Sequence, residues 1–393
     1  MIVAALSFLA LAVWVYLLLC RGWFWLGRER DDRTLRPGDS AKESLWPSVV
    51  AVIPARDEND MIACSVGSLL QQDYHGRFSV VLVDDQSTDG TAATASAAAS
   101  AVSAHDRLRV VVGTSPPPGW TGKLWAMRQG LSAIESCDDA PEFVLFGDAD
   151  IRYAPHVLSR LVAIAGARGS VLTSLMVKLN CESAAERWLT PAFVFFFQML
   201  YPFRWVNDPG RRTAAAAGGC MLVRREALRA AGGLEALRSS LIDDCALGRI
   251  LKRQGPIWLG LTEDVHSMRP YPAFADFRRV VVRSAFAELR YSPLRLAAAV
   301  SGMALVYLAP PLFVVFSRGA PEIAGAIAWA MMGVAMAPTL RLYGRPLATG
   351  FALPAVAAAY TAFTLESALE YWRGRGGHWK GRFQAPARQG GQV

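Results

Sequence analysis

Phe143-Val-Leu-Phe-Gly-Asp148-Ala-Asp150 is the stretch that decides how the chain is read. The apolar run Phe143 to Phe146 has the length and composition of a buried strand, and it ends on two carboxylates one residue apart. Side chains alternate along a strand, so Asp148 and Asp150 are expected on the same side. At about 5 Å and an effective dielectric of about 20 their repulsion is roughly 3 kcal/mol, which asks for a counter-charge. Mg2+ or Mn2+ is the natural one, because these ions prefer oxygen ligands and often take only one or two from protein, leaving phosphate to fill the rest. The plainer alternative is a solvated turn after a strand.

Outward from this motif, apolar runs and helical stretches alternate between Trp46 and about Met268. Strands are expected at Ser48 to Ile53, Phe78 to Val83, Leu108 to Val112 and Phe143 to Phe146, and helices over 91–104, 123–135 and 156–167. That alternation predicts an α/β fold, a mostly parallel sheet with helices on both faces. Ligands in such sheets bind beyond the carboxyl ends of the strands. The polar clusters fall there: Pro54-Ala-Arg56-Asp-Glu58, Asp84-Asp85-Gln-Ser-Thr-Asp-Gly-Thr91 and Asp148-Ala-Asp150. Neither a P-loop nor a GxGxxG turn is present, since Lys123 is followed by Leu124 and no glycine triplet follows the first strand. Any nucleotide would have to be held by carboxylates and a metal.

The two ends are apolar. Among 393 residues, 53% are hydrophobic, and Ile2 to Cys20 carries no charge, long enough to cross a bilayer as a helix. Arg21, Arg28, Arg30, Arg33 and Arg36 follow it. No basic residue precedes the run and no small-residue cleavage site follows, so a retained anchor is expected, with the middle of the chain in the cytoplasm. Leu296 to Phe316, Ile323 to Pro338 and Leu347 to Leu365 are three further candidates, the first interrupted by Pro310-Pro311. If all three span, the basic tail from Trp372 to Arg382 ends outside, against its charge; if one is re-entrant, it does not. The layout is thus an anchor over 1–27, a basic linker 28–45, a catalytic domain 46–290, membrane segments 291–370 and a basic tail 371–393. The net charge of +8 suits anionic lipid headgroups. It comes without the interleaved aromatics or motif of a nucleic-acid reader, so no nucleic-acid partner is expected. The six cysteines and five histidines show no metal-ligand spacing.

These motifs, with Gly122-Lys123, Gly218-Gly219-Cys-Met-Leu-Val-Arg-Arg-Glu-Ala-Leu228 and Ile242-Asp243-Asp244-Cys-Ala-Leu247, stand in the order of the family-2 glycosyltransferases. The resemblance covers roughly residues 46 to 290. Phe193-Val-Phe-Phe-Phe-Gln-Met-Leu-Tyr-Pro-Phe203 and Trp205-Val-Asn-Asp-Pro209 resemble, more narrowly, the hopene-associated enzymes of hopanoid biosynthesis. The resemblance implies a GT-A-type fold with transmembrane helices at both ends, a nucleotide-sugar donor and a lipid acceptor. It implies Pro54, Arg56 and Glu58 at the nucleotide's edge, Asp84 or Asp85 near base and ribose, Asp148 on the ribose and metal side, and Asp150 on Mg2+ or Mn2+. Gly219, Asp243 and Arg283 would lie on the acceptor side.

Inverting transfer needs a base within reach of the acceptor hydroxyl, and Asp244 is the choice. It opens an amphipathic stretch, where negative charge near a helix N-terminus is favoured. Alternatively Asp243 and Asp244 merely cap that helix. Thr262-Glu-Asp264 spells a second acidic motif. Arg283, the match to the arginine of the family's QxxRW-like motif, follows Asp244 by 39 residues but Asp264 by only 19, and spacing favours Asp244. Val280 and Ser284 replace the motif's other residues, which argues against a processive synthase. Lys123 reads equally as a cation near a diphosphate or as part of a surface loop with packed tryptophans. Phe193 to Tyr201 reads as core or as an interfacial element, and Phe274 to Leu289, with its arginines, as an interfacial helix. The rival function is a non-catalytic nucleotide-sugar-binding membrane subunit, which needs the metal site but not Asp244.

Overall fold

The structure, a computed structural model, describes residues 1–35, 46–135, 140–238 and 240–375, with two short strands at His378–Trp379 and Arg382–Phe383. Arg36, Cys137, residues 36–45 of the linker and most of the basic tail lie outside the described residues. Two compact units form. One takes the described parts of Glu29–Asn180 and Trp205–Arg269; the other takes Met1–Arg28, Cys181–Arg204 and the chain from Pro270 through the helix Leu353–Trp372. The expected catalytic span 46–290 is therefore divided. Segments 181–204 and 270–290 leave it because their aromatic residues, among them Phe195 and Phe277, are fully buried in the helical unit's own core.

The α/β unit is built on an eight-stranded sheet: β1 (Val49–Ala55), β2 (Phe78–Asp84), β3 (Leu108–Val112), β4 (Phe143–Gly147), β5 (Ile151–Tyr153), β6 (Leu172–Lys178), β7 (Cys220–Arg224) and β8 (Ile257–Ser267). Their order is β3-β2-β1-β4-β7-β6-β8-β5. β1 to β4 pair in parallel, as do β6 and β8, while β5 and β7 run against their neighbours. All strands but those two share one direction, the GT-A-like arrangement expected. β1, β2 and β4 are legible as unbroken apolar runs because both faces of a parallel sheet are covered. Strand order reverses at β1, which lies between β2 and β4, so the carboxyl ends of these three strands converge where an α/β sheet offers a binding crevice.

The helices bury one face each. Asn59–Leu70, whose N-cap Glu58 makes no side-chain cap bond, is a helix beyond those expected; it buries Ile62, Val66, Leu69 and Leu70, each contributing about 1.5–3 kcal/mol. Thr91–Ala101 is alanine-rich, the strongest helix former, and packs Ala95 and Ala99 from one face. Val157–Arg168 ends at Gly169 in the left-handed region that glycine adopts freely.

In the helical unit four helices are long and apolar enough to cross a membrane: Ile2–Leu19, Pro293–Phe316, Ala320–Leu342 and Leu347–Trp372. All three C-terminal candidates qualify by length and composition. The expected interruption at Pro310-Pro311 is a single π-helical turn, Ala304–Leu308. Neither proline has an N–H to offer the carbonyl of Val306. Trp14 supplies it instead, its Nε1 donating to Val306 O at 2.8 Å. Phe193 to Tyr201 falls mostly on the helix Ala184–Leu200, where Phe195 packs against Phe24 and Phe196, the core alternative for that aromatic run.

Candidate active site

Loops at the ends of β1 and β2 are stitched together before any ligand is considered. Asp57, at a left-handed φ of 50°, donates its N–H to Ser87 Oγ at 3.0 Å and accepts from Thr88 N through Oδ1 at 2.9 Å. Glu58 N donates to Thr91 Oγ1, and Asp84 Oδ1 accepts from Ser87 N. Arg56 Nη1 donates to the Asp85 carbonyl at 2.6 Å and lies 3.8 Å from Asp85 Oδ2. Asp85 is fully buried. Pro54 sits inside β1 at no cost in hydrogen bonds, because the β1–β4 ladder has already ended at Val52–Phe146. Pro54, Arg56, Glu58, Asp84 and Asp85 thus form one connected edge.

The acidic motif beyond β4 departs from expectation. Asp148, Ala149 and Asp150 lie in a turn between β4 and β5 rather than on a strand, so alternation does not fix their directions. Asp148 Oδ1 reaches Lys123 Nζ at 2.7 Å, while Asp150, only 9% exposed, gives Oδ2 to Arg269 Nε at 2.7 Å. Arg269 also grips Glu58, its Nη2 lying 2.7 and 2.6 Å from the two carboxylate oxygens. Each of the two carboxylates of the motif thus has a basic partner of its own. Burial, reinforced by Asp148 and Glu58, pushes the Asp150 carboxyl up despite Arg269.

Lys123 stands in the first turn of the helix Gly122–Glu135, where a helix dipole disfavours a cation. Burial would lower its pKa further, but Asp148, Asp243 and Asp244 outweigh it and hold the ammonium charged. Its Nζ lies 3.7 Å from Asp243 Oδ2 as well as 2.7 Å from Asp148 Oδ1. Trp120 and Trp125 pack edge to face at 5.4 Å, as the packed-tryptophan reading of this loop expects.

Asp243 and Asp244 occupy the first turn of the helix Asp243–Leu251, whose N-cap, Ile242, offers no side-chain cap. Asp244 does more than cap: Oδ1 accepts from Cys245 N at 2.6 Å, and Oδ2 accepts from Gly218 N at 3.0 Å, on the loop before β7. Burial and Asp243 push its pKa up to about 6, with Lys123 opposing. Gly219 is held by close approach, since a Cβ there would lie 2.7 Å from Val177 Cγ2, and its carbonyl accepts from Tyr153 Oη at 3.0 Å. Asp264, the second acidic candidate, is engaged elsewhere: its Oδ2 binds His156 Nε2 at 3.0 Å and Arg160 Nη1 at 2.5 Å, and Arg160 also binds the buried Asp31 at 3.0 Å. Arg283 lies exposed on the helix Phe274–Glu288 of the helical unit.

Arg269 is the residue that the sequence reading missed. It follows β8 directly, and a search for basic residues at that strand's end, prompted by the need to neutralise buried carboxylates, would have found it. Among the described residues no three His, Cys, Asp or Glu side chains gather as a metal cluster. A divalent ion here would take Asp148 and Asp150 at most, which suits Mg2+ or Mn2+ completed by phosphate oxygens.

A carboxylate pair beyond β4, a second at a helix N-terminus and a lysine between them, on a sheet of this order, define a GT-A-like glycosyltransferase. The chain belongs to the glycosyltransferase like family 2, whose family model matches residues 47–258. An N-acetylglucosaminyltransferase of Rhizobium leguminosarum bv. viciae is 26% identical over 201 residues, covering 49% of this chain and 42% of its own length. One from Mesorhizobium japonicum is 29% identical over 207 residues with the same coverages. The chain thus spans less than half the length of these curated relatives. Among solved structures, the mannosyltransferase PcManGT from Pyrobaculum calidifontis, in complex with GDP-Man and Mn2+, is 19% identical with a TM-score of 0.53, covering 94% of this chain and 99% of that one; it shares the fold.

Proposed function

We propose that this glycosyltransferase is a multi-pass protein of the cytoplasmic membrane that moves one sugar, with inversion, from a nucleotide donor to a lipid hydroxyl at the cytoplasmic face. The carrying observation is the single ammonium of Lys123, 2.7 Å from Asp148 and 3.7 Å from Asp243, which draws the donor-side carboxylates and the neighbour of Asp244 into one cluster. Asp244 is the base. With a pKa near 6 it is ionised at neutral pH yet basic enough to accept a proton. It takes the proton of the acceptor hydroxyl as that oxygen attacks the anomeric carbon, and the electron pair of the breaking bond leaves with the nucleoside diphosphate. Asp148 and Asp150 would hold Mg2+ or Mn2+, whose charge stabilises the departing diphosphate.

The donor is taken to be UDP-linked, and the N-acetylglucosaminyltransferase relatives make an N-acetylhexosamine one candidate sugar. Four apolar helices support membrane residence, and the arginines after Ile2–Leu19 support the cytoplasmic orientation. A hopanoid acceptor rests on the phrases Phe193 to Phe203 and Trp205 to Pro209 alone. The test is incubation of the purified protein with a panel of UDP- and GDP-sugars and extracted lipid, read by mass spectrometry. A lipid gaining one hexose or N-acetylhexosamine mass supports the reading; release of free sugar alone from every donor contradicts it.

A further inference from the structure

Arg269 stands where the sequence asks for a metal. Nε is 2.7 Å from Asp150 Oδ2, and Nη2 is bonded to both oxygens of Glu58. The backbone sets it there, since Met268 N donates to the Asp150 carbonyl at 2.8 Å. The three side chains are largely buried, Arg269 at 28% exposure, Glu58 at 10% and Asp150 at 12%. Bonds between ionised groups in so buried a place are weakly screened, strong and directional. Lys123 holds Asp148 in the same way. Each of the two aspartates thus already has a basic partner, and a divalent ion arriving alone must share Asp148 with Lys123 and Asp150 with Arg269.

We infer that Arg269 is a positioning residue that makes divalent-ion binding conditional on the nucleotide diphosphate. This rests on the donor-and-metal reading above. Without a diphosphate, Arg269 competes with the ion for Asp150. The diphosphate brings the negative charge that lets ion, guanidinium and ammonium share one pocket, so ion and nucleotide bind as a pair. A clip that served only to hold the loops would leave ion affinity indifferent to the charge at position 269.

The test is Mn2+ binding to the purified full-length protein in detergent, followed by the electron paramagnetic resonance of free Mn2+, with and without UDP or GDP, the Mn2+ held by the nucleotide alone being subtracted from a protein-free titration. Wild type should bind Mn2+ about 100-fold more tightly with nucleotide than without it. Arg269→Gln, which keeps hydrogen bonding, and Arg269→Met should bind Mn2+ without nucleotide about tenfold or more tighter than wild type, while Arg269→Lys, which keeps the charge but not the fork, falls between wild type and these two. Circular dichroism identifies which variants fold. Unchanged nucleotide-free affinity in a folded neutral variant overturns the inference. So does a wild type that binds Mn2+ equally well with and without nucleotide, a result that needs no variant. If wild type binds no Mn2+ even with nucleotide, the metal reading itself fails, and the inference falls with it.

Discussion

Burial raises the pKa of Asp244, and two neighbours of opposite sign, Asp243 and Lys123, adjust it further, so two substitutions should move it in opposite directions. A methyl on Gly218 would lie 3.3 Å from Asp244 Oδ2 and 3.6 Å from Lys123 Nζ. Ammonium and carboxylate are therefore within about 7 Å, where a unit charge at an effective dielectric of about 20 is worth about 2 kcal/mol, between one and two pKa units. Asp243, next in the chain, acts with the opposite sign. The base works deprotonated, so the wild-type rate should fall as pH drops through about 6. In Asp243→Asn the acid limb should move toward pH ~5, and in Lys123→Met to ~7 or above. At pH 5 the wild type would retain roughly a tenth of its plateau and Asp243→Asn roughly half. The assay is transfer of radiolabelled sugar from pH 4.5 to 9 at saturating donor and metal. Each variant is normalised to its own alkaline plateau, so that a loss of donor affinity does not enter. Limbs that stay together, or that move the same way, would refute the reasoning.

The remaining expectations concern single residues. Gly219→Ala forces a Cβ to within 2.7 Å of Val177 Cγ2; overpacking of about 1–3 kcal/mol should lower the melting temperature by several degrees and shift Gly218, reducing transfer. Asp264→Asn should cost stability, about 1–3 kcal/mol, while turnover stays within a few-fold of wild type. Burial raises the Asp264 pKa, but hydrogen bonds from His156 and Arg160 outweigh it and hold it below the ordinary value. Its stabilisation is thus present at neutral pH and lost as pH falls through the folded pKa, and thermal scans of wild type and Asp264→Asn should converge in acid. Asp150→Ala should abolish donor turnover, as should chelation of the wild type; full activity in excess chelator would contradict the metal role.

β1, β2 and β4 were legible because covered parallel strands must be apolar throughout, and that fixed the crevice between them. β6 and β8 were not. Thr173, Ser174 and Lys178 interrupt the first, and Thr262, Glu263, Asp264 and His266 the second, and several of these polar residues find partners remote in sequence: Ser174 Oγ with Ala217 O, Thr262 with Asp31, Asp264 with Arg160. The same distance hid Arg269, which is 119 residues from Asp150 and 211 from Glu58. Electrostatics correctly demanded a cation beside the acidic motif. Only the folded chain shows that Lys123 and Arg269 stand beside it.

The central claim is that Asp244 removes the acceptor's proton, and Asp244→Asn tests it most directly. Asparagine keeps the shape, and its one carbonyl oxygen can accept from Gly218 N or from Cys245 N but not from both; the donor edge at Arg56, Glu58 and Asp85 takes no part in these two bonds. Donor binding by calorimetry should hardly change, while transfer to extracted lipid should fall by about 10² or more. Full transfer by Asp244→Asn would contradict the account.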